Sequence, residues 1–432
     1  MLALAGVAAL AACGGGQMGS SLPNSAQSAQ SFSNFRSVCT APATGAMSCV
    51  ALVRTDVGGI PGGYHGLYGS AASQADVAAK PDATATAPPG YGPSQLQTAY
   101  NLPSSSAGTG QTVALVESGD YPTAAADLTT YRAEYGLPAC TVANGCFEKV
   151  GQTGSTTSLP AENAGWAEET ALDQDMVSAT CPNCHILIVE ANSSSNANLA
   201  AAENEAVALG ANEVSNSYGG SETGATNSAY SHAGVVILAS AGDSGYAEGS
   251  QQPCSYATVV CTGGTSLRTA TNSRGYTEVV WNDLSTGNGA TGSGCSSDVA
   301  KPSWQNDKGC TKRSQSDVSF DADPEYGVAV YDSTPYQGYS GWLEFGGTSV
   351  ASPALAGVFA LAGNASSLGT SAAATFWNDK GTGLNSVTSG NNLTKRGKCG
   401  SAYAYICTAG TGTDGVYSGP AGWGTPNGLS DF

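Results

Sequence analysis

Downstream of residue 110 the chain alternates apolar runs with helical stretches, and this alternation limits the folds open to it more than any other feature. The runs 111–117, His185–Ala191, 212–217 and 235–240 read as strands, and 124–135, 161–179 and 197–209 as helices. Strands this apolar are buried on both faces, which requires helices above and below a mainly parallel sheet. The expected class is therefore α/β. No glycine-rich dinucleotide fingerprint follows the first strand, so a Rossmann cofactor enzyme loses its main support and no organic cofactor is expected.

Charge and cysteine usage narrow the setting. The 432 residues carry 33 acidic and 15 basic side chains, a net charge of -18. That balance disfavours nucleic acid, whose phosphates need clustered Lys and Arg. Residues 1–12 are apolar but too short to span a bilayer. Leu10-Ala11-Ala12-Cys13-Gly14 looks like a lipoprotein processing site that would lipidate Cys13, although no Lys or Arg precedes it. A plain secretory signal is the other reading, and both place the mature chain outside the cytoplasm, lipid-anchored or secreted. The twelve remaining cysteines fall into close pairs, 39/49, 140/146, 181/184, 254/261, 295/310 and 399/407, which predicts six local disulfides in an oxidising compartment. Cys181 and Cys184 also form a CxxC, but no second CxxC completes a zinc set. Composition divides the chain into a signal and lipidation site (1–13), a flexible tether with a short leader or remnant prosegment (14–90) and a compact domain (91–432).

Within the domain, Gly346-Gly347-Thr348-Ser349-Val350-Ala351-Ser352-Pro353 places a serine between a glycine turn and an apolar run reaching Gly363. A serine at a helix start has an exposed oxygen and free backbone N–H groups beside it; a simple N-cap is the plainer reading. A histidine base for that serine is hard to find. His65 lies in the leader, His185 begins a strand, and His232 has no acidic neighbour. Carboxylates offer more. Glu169 and Asp173 are four residues apart on a predicted helix, so they share one face, and their proximity separates the two ionisations and raises one. An acidic pair on a helix is otherwise a solvated face.

Taken as an ordered series, these segments resemble the sedolisins, the serine-carboxyl peptidases of subtilisin-like fold. Glu169-x-x-Leu172-Asp173, then Ala239-Ser240-Ala241-Gly242-Asp243-Ser244-Gly245, then the Ser349 segment stand in the family's order, and the match covers roughly residues 90–428. The resemblance implies a three-layer α/β domain with a mainly parallel central sheet. It implies a peptidase that hydrolyses peptide bonds in acid through an acyl-enzyme, acting on peptide or protein substrates as a monomer. Ser349 is then the nucleophile, Glu169 the base, Asp173 its partner, and Asp243, protonated, the oxyanion donor. A catalytically inactive binding protein and a histidine-dependent subtilisin-like peptidase are the rival readings.

The family pattern also implies a calcium loop here, formed by the carbonyls of Val387, Gly410 and Gly412 and the carboxylate of Asp414. Ser386 stands where the family has an aspartate, so calcium is expected to be weakly held or absent. The plainer reading is a Gly-rich turn braced by Cys399 and Cys407. The leader, too, is shorter than the folded prodomain the family implies.

Overall fold

A computed structural model describes residues 34–57, 59–60, 63–64, 88–394, 399, 403–412 and 416–432. Cys13, His65 and Asp414 lie outside the described residues.

Seven parallel strands form the centre, in the spatial order Phe147–Gly151, His185–Ala191, Thr112–Ser118, Glu213–Asn216, Val236–Ser240, Val259–Thr269 and Val318–Asp321. Tyr276–Val280 pairs antiparallel with the far half of Val259–Thr269. Val113, Leu115, Ile188, Val214 and Leu238 are fully buried, as strands covered on both faces require. The helices that follow are α1 (Pro93–Ala99), α2 (Ala124–Glu134), α3 (Ala164–Thr180), α4 (Asn196–Ala208) and α5 (Thr348–Ala362). Helices α3 and α5 pack on each other and on the sheet, while α4 lies against the strands at 112–118 and 185–191. This is the α/β, subtilisin-like three-layer architecture the motif series implies.

Two helices need local explanation. Helix α3 is buried from Gly165 to Thr180 despite carrying Glu168, Glu169, Asp173 and Asp175. Its start is fixed by Asn163, whose side chain accepts from the Trp166 N–H at 3.4 Å. Helix α5 contains Pro353 and ends at Gly363 in the left-handed conformation (φ 64°), whose N–H reaches the Phe359 carbonyl at 2.9 Å. Proline has no N–H for the carbonyl one turn back. That carbonyl belongs to Ser349, and the Ser217 hydroxyl oxygen lies 3.3 Å from it.

The compact unit spans Ser33–Phe432 and so includes Phe35–Arg54, which composition assigns to a leader before Tyr91. Strand pairing draws this segment in: Phe35–Ser37 pairs with Leu52–Arg54, which in turn pairs with the strand Tyr339–Gly346. All six expected disulfides are present. Among the described residues no helix is long and apolar enough to cross a membrane.

Candidate active site

Parallel strands leave their carboxyl ends open for ligand-facing residues, and here four chain segments converge at that edge. Glu117 is near the end of the strand Thr112–Ser118, Ser217 follows Glu213–Asn216, Asp243 follows Val236–Ser240, and Ser349 is the second residue of α5. Helix α3 runs beneath them with Glu169 and Asp173.

Ser349 is fully buried, and its hydroxyl donates to the Ser217 carbonyl at 3.3 Å. It also faces the Glu169 carboxyl, where it lowers the proton affinity of that group. The two side chains are neighbours, and the buried Glu169 oxygens are otherwise without a partner. The Ser217 hydroxyl donates its one proton to the Asp173 carboxyl, whose two oxygens lie 2.8 and 2.9 Å away. The Glu117 carboxyl lies against Asp173 and lowers its proton affinity. One proton shared between two carboxyls accounts for that contact.

Burial governs the protonation of this group. Glu169 sits well above the ordinary glutamate range, first because it is desolvated and then because Asp173 is beside it. Burial likewise raises Asp173, against the hydrogen bonds from Ser217 and Glu117. Glu117 is raised by burial and by the neighbouring Asp173 and Glu169 charges. The three carboxyls therefore titrate as a set, and the protons belong to the cluster.

Asp243 faces the serine from the other side. Its Oδ1 accepts from the N–H and the hydroxyl of Thr348, both at 2.8 Å. Oδ2 is out of solvent without a partner, although the residue as a whole is partly exposed. Burial raises this carboxyl well above the ordinary range, and a proton on it belongs on Oδ2 because Oδ1 is occupied by donors. At the second position of α5, the Ser349 N–H has no carbonyl of a preceding turn to bond. The Ser349 N–H and, when protonated, Asp243 Oδ2 are thus left free to donate.

Against these observations, no family model matches the chain. It is 30% identical over 385 residues to Sedolisin of Pseudomonas sp. (strain 101), covering 81% of this chain and 61% of that protein. To Kumamolisin of Bacillus sp. (strain MN-32) it is 31% identical over 306 residues, 63% of this chain and 52% of that one. The solved Pseudomonas sedolisin, a serine-carboxyl proteinase complexed with two molecules of pseudo-iodotyrostatin, superposes with a TM-score of 0.63 at 28% identity, covering 79% of this chain and 96% of that structure. The chain is homologous to the sedolisin and kumamolisin family. It spans about three fifths of the sedolisin sequence and about half of kumamolisin.

The sedolisin-type residues anticipated from the sequence, Glu169, Asp173, Asp243 and Ser349, lie in one cluster. Glu117 and Ser217 were not anticipated. The signal for Glu117 was a lone carboxylate near the end of the buried run Val113–Val116; Ser217 had no sequence signal beyond its place after a strand. The two candidate histidines take no part in these bonds: His185 opens its strand exposed at the opposite end, and His232 contacts the Ala229 carbonyl at 3.0 Å. At the anticipated calcium loop, a Cβ on Gly410 would meet the Thr388 carbonyl oxygen at 2.2 Å, so the segments carrying Val387 and Gly410 lie against one another. The described part of the loop offers neutral oxygens, which suit a hard cation, and its one expected carboxylate is outside the described residues.

Proposed function

We propose that the chain is a serine-carboxyl peptidase that hydrolyses peptide bonds in acid through a Ser349 acyl-enzyme. The observation that carries this reading is the closeness of Ser349 to the buried Glu169 carboxyl, with the unpartnered Oδ2 of Asp243 in the same cluster. Ser349 Oγ attacks the peptide carbonyl and gives its proton to Glu169, which passes it to the leaving amine. Asp173, oriented by Ser217 and Glu117, holds or releases the partner proton. Protonated Asp243 and the Ser349 N–H receive the oxyanion. Activity needs Glu169 able to accept a proton while Asp243 still holds one; the expectation that this window lies in acid comes from the resemblance to the sedolisins.

The test is hydrolysis of a peptide library between about pH 3 and 8 by the wild type and by Ser349→Ala. Turnover in acid that vanishes in the variant supports the reading; turnover that peaks in base and depends on His232 overturns it.

Six disulfides support a location outside the cytoplasm, lipid-anchored through Cys13 or secreted. We further propose that any calcium bound at Val387, Gly410, Gly412 and Asp414 is held weakly, with Ser386 in place of a charged ligand. Calorimetry finding submicromolar affinity would overturn the weak assignment.

A further inference from the structure

The carboxyl cluster behind the nucleophile does not end at Glu117. In the register of the parallel sheet Glu117 stands beside Glu190, and Lys149 stands beside Ile188, two residues before Glu190. Side chains two apart along a strand share a face, so Glu117, Glu190 and Lys149 project to one side of the sheet. Glu117 meets Asp173 there, so that side is the one covered by α3. A row of side chains thus runs from Ser349 through Glu169, Asp173 and Glu117 to Glu190, and it closes at Lys149.

The far end of the row is built around a group that can only donate. The Lys149 ammonium reaches three acceptors: an Asp120 carboxyl oxygen, the Tyr121 carbonyl at 2.8 Å and Glu190 Oε1 at 3.3 Å. The Tyr121 N–H donates to the same Glu190 oxygen at 2.8 Å. Oε1 is therefore filled by donors, while Oε2 is buried and has no partner. Burial pushes Glu190 up to about 7, so in acid it carries a proton, and the place left for that proton is Oε2. Glu117, beside it, is fully buried as well, and two neighbouring charges there would repel each other. Lys149 and Asp120 are 15% and 18% exposed, so the row begins at the surface and ends at the base.

The remaining acids around Glu190 face elsewhere. Glu148 precedes Lys149 on the opposite side of the strand and is exposed. On α4, Glu203 turns to Asn216 and Glu205 lies against Gly154.

We infer that Glu190 and Lys149 are positioning residues for the catalytic carboxyls, giving the hydrogen bonds behind the base a single direction. This inference rests on the peptidase reading of the site. Lys149 donates to Glu190, Glu190 donates from Oε2 to Glu117, and Glu117 donates to Asp173, each carboxyl accepting on one oxygen and donating from the other. A carboxylate that receives such a bond stays ionised more readily. The row therefore lowers the proton affinity of Asp173, and with it that of the pair Asp173 forms with Glu169. The base becomes available at a lower pH than burial alone allows.

The experiment measures kcat/KM of the full chain on a long unstructured peptide between about pH 2.5 and 8, each variant's fold being checked by circular dichroism. Glu190→Leu and Lys149→Met both break the row, and the acid limb is expected to move to higher pH by roughly half a unit or more, about a threefold loss of rate at a pH on that limb. Glu190→Gln keeps an oxygen for Lys149 and an N–H for Glu117, so its limb is expected where the wild type has it. Glu148→Gln removes a charge one residue away without touching the row, and its limb is likewise expected to stay. If Glu190→Leu fails to fold, Lys149→Met against Glu190→Gln decides the question. Rates that fall equally at every pH in Glu190→Leu and Lys149→Met, with the limb unmoved, overturn the inference and leave these residues a structural role only. A limb displaced as far in Glu190→Gln as in Glu190→Leu overturns it too, because direction of donation then plays no part. A wild type that hydrolyses no peptide overturns the peptidase reading beneath it.

Discussion

A carboxyl group stabilises an oxyanion only while it carries a proton, and Asp243 has the environment to keep one. Its alkaline limit can be separated from the rest of the chemistry by mutation. Asp243→Asn retains a neutral donor at Oδ2, so kcat is expected to fall by about 10–100-fold, with the alkaline limb of the pH profile moved upward because an amide does not titrate. Steady-state profiles check this; an unmoved alkaline limb would assign that limb to another group. Ser349→Ala and Glu169→Gln are each expected to lose roughly a thousandfold or more. Glu117 tests the acid limb. Its contact lowers the proton affinity of Asp173, so Glu117→Leu raises that affinity, and the acid limb should move to higher pH. Glu117→Gln, which can still donate, should leave the limb in place. Equal shifts in both variants would mean that Glu117 acts through its charge.

At the scale of elements, the site is a contact between α3, which brings the base, and α5, which brings the nucleophile. Gly357 sets their approach: a Cβ there would lie 2.1 Å from Thr180 Oγ1. Gly357→Ala must push the helices apart, and we expect a loss of about 1–3 kcal/mol in stability together with at least a tenfold loss in kcat, because reacting groups displaced by a fraction of an ångström lose their alignment. Thermal melts and kinetics on one preparation check both; a destabilised protein with unchanged kcat would show that the contact is structural only. Helices and strands of this layer were legible from the sequence because apolar periodicity reports burial: α2, α3 and α4 and the strands at 112–118, 185–191 and 236–240 fall within a few residues of where patterning puts them. The spacing of Glu169 and Asp173 was legible for the same reason. Phe147–Gly151 was not, because Phe-Glu-Lys-Val-Gly presents an edge strand with two charged residues. The leader strands were legible only in part: their cysteine pair and short apolar pieces suggest a small module, but the partners that draw Ser48–Cys49 and Leu52–Val53 into the domain lie at 218–219 and 345–346, far away in sequence. Long-range contacts of that kind leave no local pattern.

Taken whole, the described residues bury acids without burying cations to match. Glu169, Asp173, Asp175, Glu203, Glu213 and Asp321 are all fully buried, against Arg132 and Arg313 as the large interior bases. Burial pushes Glu203 up to about 8, and Glu168, Glu190, Asp332 and Glu344 up to about 7. In the unfolded chain the same carboxyls titrate near 4. The sign follows from proton binding: between about pH 4.5 and 8 the folded state holds protons that the unfolded state has released, so each such group contributes stability that is fully present below its unfolded value and lost as pH rises through its folded one. Glu222 and Asp307, lowered by their hydrogen bonds, oppose this only in stronger acid. The net charge of -18 at pH 7 adds self-repulsion in the same direction. Melting temperature should therefore be highest near about pH 4–5 and fall by roughly 10 °C or more by about pH 8. The measurement belongs on the Ser349→Ala chain, where proteolysis by the proposed activity cannot mimic unfolding. A melting temperature that is flat across that range, or that rises toward neutrality, would mean the buried carboxyls are ionised and paired in the folded state, and would remove the protonated Asp243 on which the proposed chemistry depends.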